Sequence, residues 1–211
     1  MSKELIFYTS PQSRGAIVHW MLEEIGQPYS IRIVDHGTTM KAPEYLAINP
    51  MGKVPAIQHG DVVVTEAAAI CAYLADAFPE AGLAPSLDNR GEYYRWLFFA
   101  AACGEPAMSD YATGWKADTA DLQRRFGYGS FEMTIDTLAG WLAGRSHVAG
   151  DRFSAADVYV ASLLNFGMGF DLISRMPAFE AYVAPLLERS AKKRADAMIQ
   201  DMMAKNAPTS A

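Results

Sequence analysis

The chain has 211 residues and a mass of 23.1 kDa, room for one large or two compact domains. Charged residues make up 20% and apolar residues 51%, with 10 Phe, 10 Tyr and 4 Trp, which excludes disorder, collagen and coiled coil. Eighteen Lys plus Arg against 24 Asp plus Glu leave −6 at pH 7 with no basic block, so no nucleic-acid partner is expected. The two cysteines, Cys71 and Cys103, lie outside any C-x-x-C, which rules out a disulfide framework and suits a reducing, cytoplasmic setting. The first residues lack the apolar core of a signal peptide, and no run reaches the roughly 20 apolar residues a membrane helix needs, so no membrane association is expected.

In chain order, Leu5 to Tyr8 reads as a strand stopped by Ser10-Pro11. Ile17, Trp20, Met21 and Ile25 then recur at helical spacing until Gly26-Gln27-Pro28. Tyr29 to Val34 alternates as a second strand, and so short a crossover predicts parallel pairing with the first. After a loop over 38–50, Pro55 to Gln58 and Val62 to Thr65 flank His59-Gly60-Asp61 as an antiparallel hairpin. Thr65 is placed to cap a helix with Ile70, Tyr73, Leu74 and Ala77 on one face, which ends before Pro79. These elements make a βαβ–ββα domain over 1–80, followed by a Pro-, Gly- and small-residue linker over 81–90. The remainder, 91–211, reads as all-helical, with periodicity over 91–107, 122–142, 154–164 and 178–205.

The four histidines, His19, His36, His59 and His147, are never three or four apart and have no cysteine neighbours, so no metal site is expected. There is no G-x-S-x-G elbow and no P-loop; Gly52-Lys53 continues into Val54-Pro55, which suggests a backbone turn instead.

Taken in order, the βαβ–ββα pattern, the loop Thr9-Ser10-Pro11-Gln12-Ser13-Arg14, the Val54-Pro55 step and Thr65-Glu66-Ala67 resemble the glutathione-binding module of bacterial, serine-type glutathione S-transferases. The second half resembles that family in Gly150 to Asp157 and Arg189 to Asp196. The resemblance implies an α/β thioredoxin-like domain followed by an all-α domain, a cytosolic homodimer, and glutathione as co-substrate with no tightly bound cofactor.

It also implies roles for particular residues. Ser10 would donate a hydrogen bond to the glutathione sulfur; Tyr8, six residues before Arg14, is the rival. Val54, before a cis Pro55, would pair with the cysteinyl backbone, and Lys41 and Lys53 would face the glycine carboxylate. Glu66 would hold the ligand's ammonium at the start of a helix, whose amides favour a carboxylate. Ala67 stands where the family has Ser, which removes one hydroxyl donor. Met108, Tyr111, Trp115, Phe166 and Phe170 are expected walls for a small apolar electrophile, whereas Arg14, Ser154 and Asp157 are expected to be architectural. A glutathione-dependent isomerase, peroxidase or lyase, or a non-catalytic assembly module, would use the same scaffold.

Overall fold

The computed structural model describes residues 3–205; residues 1–2 and 206–211, at the outer ends of the two expected domains, lie outside the described residues. Two compact units emerge, one holding the chain up to Ala81 together with Arg189 onward, the other Gly82–Glu188.

The first unit contains β1 (Leu5–Thr9), α1 (Gly15–Ile25), β2 (Ser30–Ile33), α2 (Pro43–Leu46), β3 (Ala56–His59), β4 (Val62–Thr65) and α3 (Ala67–Ala77). The sheet order is β2-β1-β3-β4, with β1 and β2 parallel and the β1–β3 and β3–β4 pairs antiparallel, as the βαβ–ββα reading requires. Alternation along β1 sends Leu5, Phe7 and Thr9 into the buried layer. There Phe7, Ile57, Trp20, Met21, Ile70 and Leu74 are fully buried, each worth about 1.5–3 kcal/mol of apolar transfer. Ile6 and Tyr8 point to the opposite face, where Tyr8, Ile48 and Val54 pack against Val34, Met40 and Tyr45.

The second unit is helical: α4 (Gly91–Phe99), α5 (Glu105–Ala112), α6 (Ala120–Arg125), α7 (Phe131–Leu142), α8 (Ala155–Gly169) and α9 (Pro177–Leu187). Three expected helices are divided. Between α4 and α5 the chain takes a π turn over Ala100–Gly104. Pro106 offers no N–H and its ring crowds the carbonyl four residues back, so the wider turn accommodates it. Gly129, at φ +71, breaks the 122–142 run into α6 and α7. The third break, at Glu188, falls three residues after Pro185, which lies inside α9.

The chain closes with α10 (Ser190–Lys205), which packs on α1 in the first unit. Arg189 donates to both Glu24 oxygens at 2.6 and 2.7 Å, and Arg194 to Glu23 at 2.7 Å. The sequence reading had grouped this helix with the helical half.

At the head of α8, Asp157 is wholly buried. Its carboxylate accepts from Ser154 N at 2.9 Å, Val148 N at 2.7 Å and Tyr182 Oη at 2.8 Å, so it ties the helix start to the preceding loop and to α9. Burial pushes this carboxyl above its ordinary range, and the three donors oppose that shift.

Candidate active site

Strand register assembles the site. Tyr8 lies opposite Ala56, and Ala56 opposite Thr65. One step further along these three adjacent strands, the chain reaches Thr9-Ser10, Val54-Pro55 and Glu66. Three segments separated by dozens of residues therefore converge at one end of the sheet, where α1 and α3 also begin.

Ser10 is 6% exposed, and among the described residues its hydroxyl has no hydrogen-bond partner. The start of α1 is held by a neighbour instead: Ser13 Oγ accepts from Gly15 N at 3.0 Å and donates to the Ser10 carbonyl at 2.6 Å. A helix-capping duty for the Ser10 hydroxyl is thereby taken over by Ser13. Gly15 is required here, because a Cβ would lie 2.0 Å from Thr9 Oγ1. Tyr8 is committed to packing: its ring sits 5.7 Å from that of Tyr45 and its hydroxyl donates to Gln58 Oε1 at 3.3 Å.

The Val54–Pro55 peptide is cis. Among the described residues, neither the N–H nor the C=O of Val54 is paired with another backbone group. Two side chains anchor the approach to it, Tyr45 Oη at 2.5 Å and Asn49 Nδ2 at 2.8 Å, both donating to the Lys53 carbonyl. Asn49 Oδ1 also accepts from Met51 N at 3.1 Å, an Asx turn. Tyr45 and Asn49 were not singled out from the sequence; the Asn49-Pro50 turn signal was their trace. The Lys41 ammonium is engaged by the Met51 and Gly52 carbonyls at 3.0 Å each. Lys53 is exposed.

Glu66, rather than Thr65, occupies the N-cap of α3, and its side chain makes no capping bond. Its backbone sits at φ 66, ψ 119. A non-glycine residue held in this sparsely populated region costs of order 1–3 kcal/mol, a cost that recurs where a site needs a particular side-chain or amide direction. The Glu66 carbonyl accepts from Ile70 N at 2.8 Å, so the amides of Ala67, Ala68 and Ala69 precede the helical ladder and form a positive end with no acidic residue in the first turn. Glu66 is exposed and Ala67 is buried.

In the second unit, Tyr111 and Trp115 line a common cavity, and Met108 and Phe166 do not line it. Met108 is buried, whereas Phe166 and Phe170 are exposed and lie ring to ring at 4.6 Å. Cys71 is fully buried and its thiol is pushed up to about 12 by that burial, so it is protonated at neutral pH and unsuited to thiolate chemistry.

Comparison with known proteins agrees with this fold class. Family models described as "Glutathione S-transferase, N-terminal domain" and "Glutathione S-transferase, C-terminal domain" match residues 9–77 and 132–190. Glutathione S-transferase GST-4.5 of Xanthomonas campestris is 31% identical over 188 residues, covering 85% of this chain and 91% of its own length. A solved glutathione S-transferase from Xylella fastidiosa is 28% identical with a TM-score of 0.77, covering 93% of this chain and 99% of that one. Glutathione transferase URE2P6 of Phanerochaete chrysosporium, solved in complex with oxidized glutathione, is 25% identical with a TM-score of 0.75, covering 95% and 98%. With both family models matched in order and a relative aligned along nearly all of its length, the chain belongs to the glutathione S-transferase family.

Proposed function

We propose that this glutathione transferase binds glutathione at the sheet end defined by Ser10, Val54 and Glu66, and that the Ser10 hydroxyl stabilises its thiolate for attack on small hydrophobic electrophiles. The observation that carries this reading is the strand register, which draws those three residues to one edge, while among the described residues the Ser10 hydroxyl has no hydrogen-bond partner.

Each part of the tripeptide has a matching group. The unpaired Val54 backbone suits antiparallel pairing with the cysteinyl unit. The amides at the start of α3 suit the γ-glutamyl carboxylate, and the Glu66 carboxylate its ammonium. Lys53, with Lys41 contributing the donor left after its two carbonyl bonds, suits the glycine carboxylate. The Ser10 O–H donates to sulfur, the thiol proton passes to water, and the sulfur forms a bond to the electrophile's carbon as its leaving group departs with the bonding pair. Wherever the electrophile is an activated double bond, water returns the proton instead.

Ionisation is a small part of the rate. Lowering a thiol pKa from about 8.5 to about 6.5 raises the thiolate fraction at pH 7 roughly 25-fold. A Brønsted slope of ~0.4–0.5 takes back roughly 8-fold of that in nucleophilicity, leaving a net gain of about 3-fold. Holding the electrophile in place supplies the remainder, and Met108, Tyr111, Trp115 and Phe166 are the proposed walls for it. The family resemblance further supports a homodimer, which light scattering would read as twice 23.1 kDa.

The test is calorimetric titration with glutathione followed by a crystal structure of the complex. Uptake with the sulfur within hydrogen-bond reach of Ser10 Oγ is expected. Absence of uptake, or a sulfur seated on the Tyr8 hydroxyl, overturns the assignment, and product analysis over an electrophile panel separates conjugation from isomerisation, reduction or lysis.

A further inference from the structure

The second unit has a cavity of about 180 Å³ between the end of α5 and the start of α7. Its shape follows from local chain chemistry. Helix α5 ends at Thr113, and Gly114 at φ +78 turns the chain back so that Trp115 N donates to the Asp110 carbonyl at 2.9 Å. Trp115 is thereby folded over the helix end, where it meets Phe126 at 4.7 Å. On the other side, Tyr111 stacks on Phe131 at 4.2 Å with the planes 16° apart. Between these walls Tyr128 Oη donates to Asp110 Oδ2 at 2.5 Å.

Two features of this cavity are not explained by folding. Tyr111, Trp115 and Phe126 each leave more than a third of their surface open, although a core aromatic gains most by closing. The ionisable residues lining it are Asp110, Asp118 and Glu132 against Lys116, so carboxylates outnumber ammonium three to one. Burial, with the bond to Asp110, pushes the Tyr128 hydroxyl up to about 12, so it stays a neutral donor that orients the carboxylate and adds no negative charge of its own. Partly open aromatic surface beside the Asp110 carboxylate that Tyr128 holds attracts a cation twice, once through the ring quadrupole and once through charge. The volume suits a single ring, since a cavity of about 150 Å³ accommodates benzene.

The geometry points to a recognition site for a small aromatic ammonium, with the ring against Tyr111 and Trp115 and the positive charge toward Asp110 and Glu132. This narrows the electrophile class of the proposed function, and rests on that reading in so far as Tyr111 and Trp115 serve as electrophile walls.

The test is an NMR titration of the full chain with benzyltrimethylammonium and, separately, benzoate, following the Trp115 indole N–H. Saturable displacement by the ammonium is expected, at least tenfold tighter than for benzoate and weakening with added salt. Asp110→Asn should reduce that preference about tenfold. If Asp110→Asn fails to fold through loss of the Tyr128 bond, the exposed Glu132→Gln replaces it and should reduce the preference several-fold. Equal affinities, tighter benzoate, an unmoved Trp115 signal, or an unchanged preference in the folded variant would overturn the inference. Calorimetry with glutathione on the same sample separates the two readings: glutathione uptake without ammonium binding overturns this inference alone, and ammonium binding without glutathione uptake overturns the proposed function alone.

Discussion

Ser10 and Ala67 differ in kind as targets, because one carries a group the proposed chemistry needs and the other lacks a group that would help it. Replacing Ser10 by Ala removes a hydrogen bond to a charged sulfur, worth about 1.5–3 kcal/mol. The expected result is a rise of about 1–2 units in the pKa of the bound thiol with only about a 3-fold fall in kcat/KM at pH 7 and the thermal midpoint unchanged, while Tyr8→Phe, which loses only the 3.3 Å bond to Gln58, leaves that pKa where it was. A larger effect at Tyr8 than at Ser10 would reverse the assignment. Ala67→Ser adds a hydroxyl in the first turn of α3 next to three amides that precede the helical ladder. It should tighten glutathione binding by about tenfold in calorimetry, and unchanged affinity would show that the γ-glutamyl carboxylate lies elsewhere. The roles proposed for these residues come from the family resemblance of the loop Thr9 to Arg14 and of Thr65-Glu66-Ala67. Tyr45 and Asn49 could not be read from the sequence, since a tyrosine in a one-turn helix and an asparagine in the loop after it acquire meaning only when both donate to the same Lys53 carbonyl.

Among the elements, α8 shows how a cap can bind helices together. Asp157→Ala removes one carboxylate and leaves Ser154 N, Val148 N and Tyr182 Oη without their acceptor in a buried setting. The expected cost is at least about 3 kcal/mol, which in a chain of this size lowers Tm by roughly 6–12 °C. Turnover per folded molecule should persist, and a selective loss of turnover with Tm intact would place Asp157 in the chemistry. The cap itself was legible as Ser154-x-x-Asp157, because a capping box is local. Its reach to Val148 and Tyr182 was not, because those partners come from other segments. The same distinction separates the hairpin of β3 and β4, announced by His59-Gly60-Asp61, from the division between α9 and α10, where helical periodicity continues across the break.

Over the whole molecule, acid stability should depend on His19. Its ring is 1% exposed, stands edge-on to Phe7 at 4.7 Å, and has both nitrogens buried without a hydrogen-bond partner among the described residues. Burial lowers its pKa from 6.5 to about 4, against an opposing effect of Glu23. The unfolded chain therefore takes up this proton first as pH falls. The contribution to stability is complete above pH 6.5 and is lost progressively between 6.5 and about 4. Two and a half units correspond to about 3 kcal/mol. Urea unfolding at pH 7 and pH 4.5 should show the parent losing about 2–3 kcal/mol more than His19→Leu. An equal loss in both proteins would mean that His19 finds a partner on protonation.

Periodicity and turn chemistry in the sequence were enough to determine the βαβ–ββα order and the all-helical second half, because each depends on neighbours a few positions apart, whereas the residues proposed to meet glutathione came from the family resemblance. Tertiary structure alone decided that α10 joins the first unit, since that follows from Arg189 and Arg194 meeting Glu24 and Glu23 across more than 160 residues. It also decided that Ser13 rather than Ser10 holds the start of α1, and that Glu66 takes a left-handed backbone where three strands end together. Such outcomes depend on which distant groups come within hydrogen-bond reach once the core has closed, and a linear pattern carries no distance of that kind.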